Sequence, residues 1–215
     1  MSPFRLPPAV IWVLAALAAA CGGAPAARAP GEGAPATAQA LCDALLTAMK
    51  EGKTVDFAAR RDQLAPEIKR DLDLAFMTRL VVGPPWRDLS AADRQQLVEA
   101  FGDYSIATYA QRFKGYSGER FEVDPAPSPL PSGDCIVHTK LFTGDPQPVQ
   151  LDYLMRKGGE RGWRIIDVYL SGTISEMAAR RSEYSTVLRQ GGAAALVELL
   201  RKKTAELGAQ RPESS

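Results

Sequence analysis

Residues 135–170 read CIVHTKLFTGDPQPVQLDYLMRKGGERGWRIIDVYL, and the alternation inside this run decides the fold. Three segments rich in branched and aromatic residues, Cys135–Phe142, Val149–Arg156 and Trp163–Leu170, are separated by turns carrying Pro and Gly. Phe121–Asp124 precedes them as a fourth segment of the same texture. Connections this short favour an antiparallel meander, because parallel pairing needs crossovers of a dozen residues or more. Successive side chains of a strand point to opposite faces. Cys135, Val137, Thr139 and Leu141 therefore share an apolar face, as do Val149, Leu151, Tyr153 and Met155. Ile136, His138, Lys140 and Phe142, with Gln150, Asp152, Leu154 and Arg156, form wetter faces. One side of a curved four-stranded sheet is thus set for burial.

Helical spacing surrounds this core on both sides in sequence. Ala38–Glu51 places Leu41, Leu45, Ala48 and Met49 on one stripe, stopped by Gly52. Phe57–Leu64 and Ile68–Val82 also read as helices. The latter carries Leu72, Ala75, Phe76, Leu80 and Val82 and ends at Gly83-Pro84-Pro85. Ser90 with Asp93 forms a capping-box-like start for a helix to about Phe113, striped by Leu97, Phe101, Tyr104, Thr108 and Tyr109. Thr173 and Glu176 suggest a second box, opening a helix with Ile174, Met177, Tyr184 and Leu188. Gly191-Gly192 breaks it before a last helix with Leu196, Leu199 and Leu200. Helices, then strands, then helices make an α+β domain over residues 39–207, with residues 208–215 a disordered tail. A sheet with one apolar face beneath several helices encloses either a filled core or a cavity.

The N-terminus is of a different kind. Arg5 precedes an apolar run, Ala9–Ala20, of twelve residues, too short to span a bilayer but suited to the core of an export signal in residues 1–20. Two processing routes remain open. Ala18-Ala19-Ala20-Cys21-Gly22 is a degraded lipobox in which Cys21 would be lipidated, with cleavage near 20. Ala27-Arg28-Ala29 is an A-x-A site with cleavage near 29. Residues 22–38, almost wholly Ala, Gly and Pro, read as a tether. Export permits disulfides, and Cys42 and Cys135 are then one candidate pair, with two free buried thiols as the alternative.

Composition excludes several functions. The 215 residues carry 26 Lys+Arg against 25 Asp+Glu, without the concentrated basic surface that nucleic-acid binding requires. The single histidine removes His-rich metal sites, and no cofactor motif survives. His138 and Cys135 are three apart in an extended segment and face opposite ways, so they form no local dyad. Gly115-Tyr116-Ser117-Gly118-Glu119 lacks the second glycine of a nucleophile elbow and precedes a strand rather than following one. Asp152 and Asp167 on neighbouring strands are the remaining carboxylates for acid–base work, yet Arg156 beside Asp152, and Arg164 and Lys157 beside Asp167, offer structural pairing instead. The residues themselves give no positive sign of an enzyme.

Several runs do resemble a known family. Pro148-Val149-Gln150-Leu151-Asp152-Tyr153, Arg156-Lys157, Gly162-Trp163, Asp167 and Gly172, with Leu80-Val81-Val82-Gly83, Trp86 and Phe101-Gly102-Asp103-Tyr104, resemble the MlaC (toluene-tolerance) family of exported phospholipid carriers. The run from Asp167 to Glu176, together with Ala107–Phe113 and Tyr116–Glu119, is similar to its hopanoid-associated HpnM branch. The resemblance implies a non-enzymatic periplasmic carrier, expected to be a monomer, with a lipid cavity between sheet and helices. Its implied ligand is a phospholipid or hopanoid. Its implied partners are an inner-membrane ABC-type or other transporter and an outer-membrane lipid complex, serving outer-membrane lipid asymmetry.

On that reading the lipid-facing candidates are Leu80, Val82, Trp86, Phe101, Tyr104, Tyr109, Leu141, Leu151, Tyr153, Met155, Trp163, Ile165, Val168 and Ile174. Arg79, Arg87 and Lys114 are rim charges that could meet a head group. Two other functions stay open: an enzyme with a carboxylate base, Asp167 first, in a conical pocket, and a ligand-free tethered scaffold.

Overall fold

The computed structural model describes residues 33–52 and 54–209. The export signal, both processing sites and Cys21 lie outside the described residues. Helix α1 (Ala34–Glu51) begins four residues before the predicted Ala38, with Pro at its first turn, so the end of the Ala/Gly/Pro segment is helical. Its stripe of Ala38, Leu41, Cys42 and Leu45 is fully buried, and Thr37 Oγ1 donates to the Trp163 carbonyl oxygen at 3.3 Å.

The next helical boundary differs from expectation. Helix α2 (Phe57–Asp71) runs through Pro66, and α3 (Leu74–Val82) follows after a break at Leu72-Asp73. The stop comes from the sheet. Leu72 bridges Ile165, Asp73 N–H donates to the Ile165 carbonyl oxygen, and Arg164 Nη2 donates to the carbonyl oxygens of Lys69 and Leu72. The guanidinium thus satisfies carbonyls that the end of α2 would otherwise leave bare. Asp73 then caps α3 by accepting from Phe76 N–H at 3.0 Å. Helix α4 (Ala91–Arg112) starts as predicted, Ser90 Oγ accepting from Asp93 N–H.

Seven short strands replace the four expected: β1 (Arg120–Val123), β2 (Ser128–Pro129), β3 (Cys135–Val137), β4 (Thr139–Phe142), β5 (Val149–Lys157), β6 (Trp163–Leu170) and β7 (Ile174–Ser175). All pairings are antiparallel. The four predicted segments are all present. Cys135–Phe142 is interrupted at His138 into β3 and β4, which pair in turn with the same edge of β5. The additional strands, β2 and β7, are two residues each, too short to show a period. Val137, Tyr153, Met155 and Val168 join the helices in the core.

Helix α5 (Glu176–Ala209) breaks at Gly192, whose φ of 64° and ψ of −157° are not helical, as the glycine pair predicted. Its start departs from expectation. Ser175, not Thr173, accepts from Ala178 N–H, and Ile174 sits on β7 rather than in the helix. Asp167 makes no contact with Arg164 or Lys157. Its Oδ1 accepts from Val168 N–H at 2.7 Å and Met177 N–H at 3.1 Å, and its Oδ2 from Ser175 Oγ–H. Replacing it with Ala should cost about 2–3 kcal/mol in urea unfolding, because buried donors lose a charged acceptor; a loss below about 0.5 kcal/mol would show that the cap is dispensable.

Arg156 is likewise partnered differently from expectation. It chelates Asp134 at 2.8 and 2.6 Å and stacks over Phe76 of α3. The guanidinium holds the Asp134 carboxyl below its usual range. The resulting stability is complete above the ordinary carboxylate pKa of about 3.9 and lost as pH falls through the lowered value. Acid titration of Arg156→Ala should therefore show a flatter low-pH limb than the parent protein.

Candidate functional site

The site is built where α3 and the first half of α5 run beside each other. Gly83, at φ +70°, ends α3, and a β-carbon there would lie 2.8 Å from Arg181 Nε of α5. The positive φ favours glycine here, while the nearby guanidinium is a flexible end that could move aside. A 3-10 turn over Pro84–Asp88 follows and presents Trp86. Arg94 fixes it, donating to the carbonyl oxygens of Trp86 and Arg87 and covering the indole face.

Three spaces meet along this seam. The innermost is enclosed and holds only about 20 Å³, between Leu72, Met77, Tyr109 and Met177, little more than a water needs. The second, an open cleft of about 430 Å³, shares Met177 with it and runs past Leu80 and Arg181. The third, about 300 Å³, shares Leu80 and Arg181 with the second and is lined by Arg79, Trp86 and Arg87. The result is a trough floored by Leu80, Trp86, Met177 and Ala178, with Ser175, Ser182 and Ser185 along one wall and Arg79, Arg87 and Arg181 at its outer edge.

A charged cluster closes the inner end. Glu176 accepts from Arg180 at 2.7 Å and lies 3.7 Å from Arg112. Arg180 also donates to Tyr184 Oη at 3.2 Å and stacks over Tyr104. Burial pushes the Tyr184 hydroxyl up to about 12 and raises Tyr109 as well, so both stay neutral.

Residues 39–202 match the family described as MlaC protein. The chain belongs to the MlaC family. Its structure also resembles that of a phospholipid-binding protein from Ralstonia solanacearum, solved in complex with a phospholipid. The TM-score is 0.70 at 22% identity, over 81% of this chain and 98% of that one. At that identity the likeness establishes the fold. Among the described residues no helix is long and apolar enough to cross a membrane.

Within this MlaC chain the fourteen lipid-facing candidates separate. Tyr109 lines the enclosed space, and Leu80 and Trp86 line the clefts. Val82, Phe101, Tyr153, Met155, Ile165 and Val168 are buried in the filled core, Leu141 and Leu151 are buried as well, and Tyr104 and Trp163 pack partly exposed against the core. Ile174 is 57% exposed on β7. Of the rim charges, Arg79 and Arg87 line the outer cleft. Lys114 does not; its backbone carbonyl lies against Gly52. Cys42 and Cys135 are free and buried, not bridged. Cys42 Sγ lies 3.9 Å from Tyr153 Oη, and burial pushes its thiol up to about 12. On the helix-facing side of the sheet, Val137, Tyr153, Met155, Ile165 and Val168 pack with the helices in the core.

The structure also assembles a group the sequence did not suggest. Ser128 Oγ lies 3.0 Å from His138 Nε2, and His138 Nδ1 lies 3.2 Å from Asp152 Oδ2. Asp152 is buried although it stands on the wetter face of β5, and it pairs with His138 instead of Arg156. Ser128 stands on a two-residue strand, and its placement ten residues before the histidine carries no signal without the strand register. Met177, Arg180 and Arg181, which shape the trough, were also missed. Their roles depend on where α5 starts, which the strand-to-helix cap decides.

Glu176 is the charge on which the inner cluster turns. Glu176→Gln should destabilise the domain by about 3 kcal/mol in urea unfolding, because the buried Arg180 guanidinium loses its counter-charge. A change under 1 kcal/mol would mean that Tyr104 and Tyr184 alone hold Arg180.

Proposed function

We propose that this chain is a periplasmic lipid carrier that binds acyl chains along the α3–α5 seam and transfers them between membrane-bound complexes without chemical change. The observation carrying this reading is the trough itself, in a chain of the MlaC family: Leu80, Trp86 and Met177 form an apolar floor, with Arg79, Arg87 and Arg181 at its edge. Each CH₂ removed from water contributes about 0.8 kcal/mol, so an acyl chain favours such a floor. The cations suit a phosphate-bearing head group left near solvent. A bilayer offers the chains similar cover, so transfer is near neutral and its direction comes from the docking partners. Those partners are an inner-membrane transporter and an outer-membrane lipid complex, and the ligand is a phospholipid or a hopanoid. For long chains to enter, Met77 and Met177 must swing away from the enclosed space, a motion their unbranched side chains allow.

The oxygens of Asp167 are taken up by Val168, Ser175 and Met177, which weighs against an enzyme using Asp167 as its base. Native mass spectrometry of protein purified from lipid-rich bacterial cells should show a bound lipid, whose mass distinguishes phospholipid from hopanoid. Leu80→Arg should lower the occupied fraction about tenfold while the protein stays folded. Protein that carries no lipid, and takes none from phospholipid vesicles, would overturn the reading.

A further inference from the structure

We infer that Ser128, His138 and Asp152 form a serine-nucleophile site for acyl transfer, separate from the lipid trough. The strand registers build it. In the β3–β4/β5 pairing Val137 stands opposite Tyr153 and Lys140 opposite Gln150, which sets His138 opposite Asp152. Tyr153 faces the core against Cys42, so its neighbour Asp152 points to the opposite face of the sheet. Strand β2, paired to β3 with Ser128 opposite Ile136, brings the hydroxyl to the imidazole.

The chain of contacts has the order acyl transfer needs. Asp152 beside Nδ1 favours the tautomer with its proton there, leaving Nε2 free to accept the Ser128 proton. Asp152 is 4% exposed, and its Oδ2, which faces His138, also accepts from Gln150 Nε2 at 2.9 Å. Ser128 is exposed, so an acyl donor can reach it, and Pro127 and Pro129 on either side restrict its backbone. A groove of about 520 Å³ opens beside the histidine, lined by Glu122, Val123, Asp124, Thr139, Lys140 and Gln150.

Asp152 Oδ1, buried at this place, has no protein hydrogen-bond partner among the described residues.

In the reaction, Ser128 Oγ bonds to the carbonyl carbon of an ester as Nε2 takes its proton. The C–O bond to the leaving group then breaks and Nε2 returns the proton to the departing alkoxide. Water, deprotonated by the same nitrogen, releases the acid and restores the serine. Lys140 is the cation of the groove available to the oxyanion. Pro129, directly after the nucleophile, supplies no N–H to it, so turnover is slow and reaction with an activated electrophile is the sensitive readout.

A fluorophosphonate probe, whose fluoride leaves as Oγ bonds to phosphorus, tests the assignment on the full chain. One adduct at Ser128, located by peptide mass, is expected. Ser128→Ala should abolish the adduct, and His138→Ala or His138→Gln, each checked for an unchanged melting curve, should slow it about 100-fold. An unlabelled Ser128 in the folded protein, or equal rates with and without His138, would overturn the assignment. The lipid-occupancy result leaves this one untouched, because Ser128 lies outside the trough.

Discussion

The Asp167 carboxylate is the contact on which the rest of the arrangement hangs. It belongs to β6, yet it accepts the Met177 N–H and the Ser175 hydroxyl at the point where the chain turns from sheet into α5. That junction fixes the rotation of the helix. Met177 is thereby directed inward beside Met77, Arg180 is brought to Glu176 and Tyr184, and Arg181 is laid against Gly83. Arg164, three residues earlier on the same strand, ends α2 at Leu72 and so decides where α3 begins. One strand therefore sets both walls of the seam, through a carboxylate at a helix start and a guanidinium at a helix end, each matched to the partial charge it meets.

Much of this was legible in the sequence, for identifiable reasons. The faces of β3, β4 and most of β5 followed from alternation, although Val149 at the start of β5 is 41% exposed where burial was expected, and Ser90–Asp93 and Gly191-Gly192 marked their helix boundaries through local chemistry. What escaped was non-local. The break was expected between Leu64 and Ile68, although the one at Leu72 is imposed by Ile165 and Arg164 more than ninety residues away. Thr173–Glu176 matched a capping pattern, but Ser175 and Asp167 held the better geometry. Asp167 was assigned to arginine or lysine partners because charge is visible in sequence and free helix N–H groups are not.

The candidate site was legible in part for the same reason. Arg79, Leu80, Trp86 and Arg87 occupy one local stretch around the end of α3, and they do line the trough. The remaining apolar candidates were chosen by face, and a face does not tell a core side chain from one beside a cavity. Volume separates them, and volume depends on how closely the helices approach. His138 was read as isolated because its relations were sought along the chain, whereas its partners stand on adjacent strands.

The break at Gly192 has a mechanical meaning for the seam. Beyond it, Leu196, Val197 and Leu200 are buried in the core, and Gly208 reaches Phe57 at the start of α2. Before it lie all the α5 residues that shape the trough. A continuous helix of this length would act as one rod, transmitting any tilt at one end to the other. The joint makes it two shorter helices with separate directions, the near half forming one wall of the seam and the far half packed against the core.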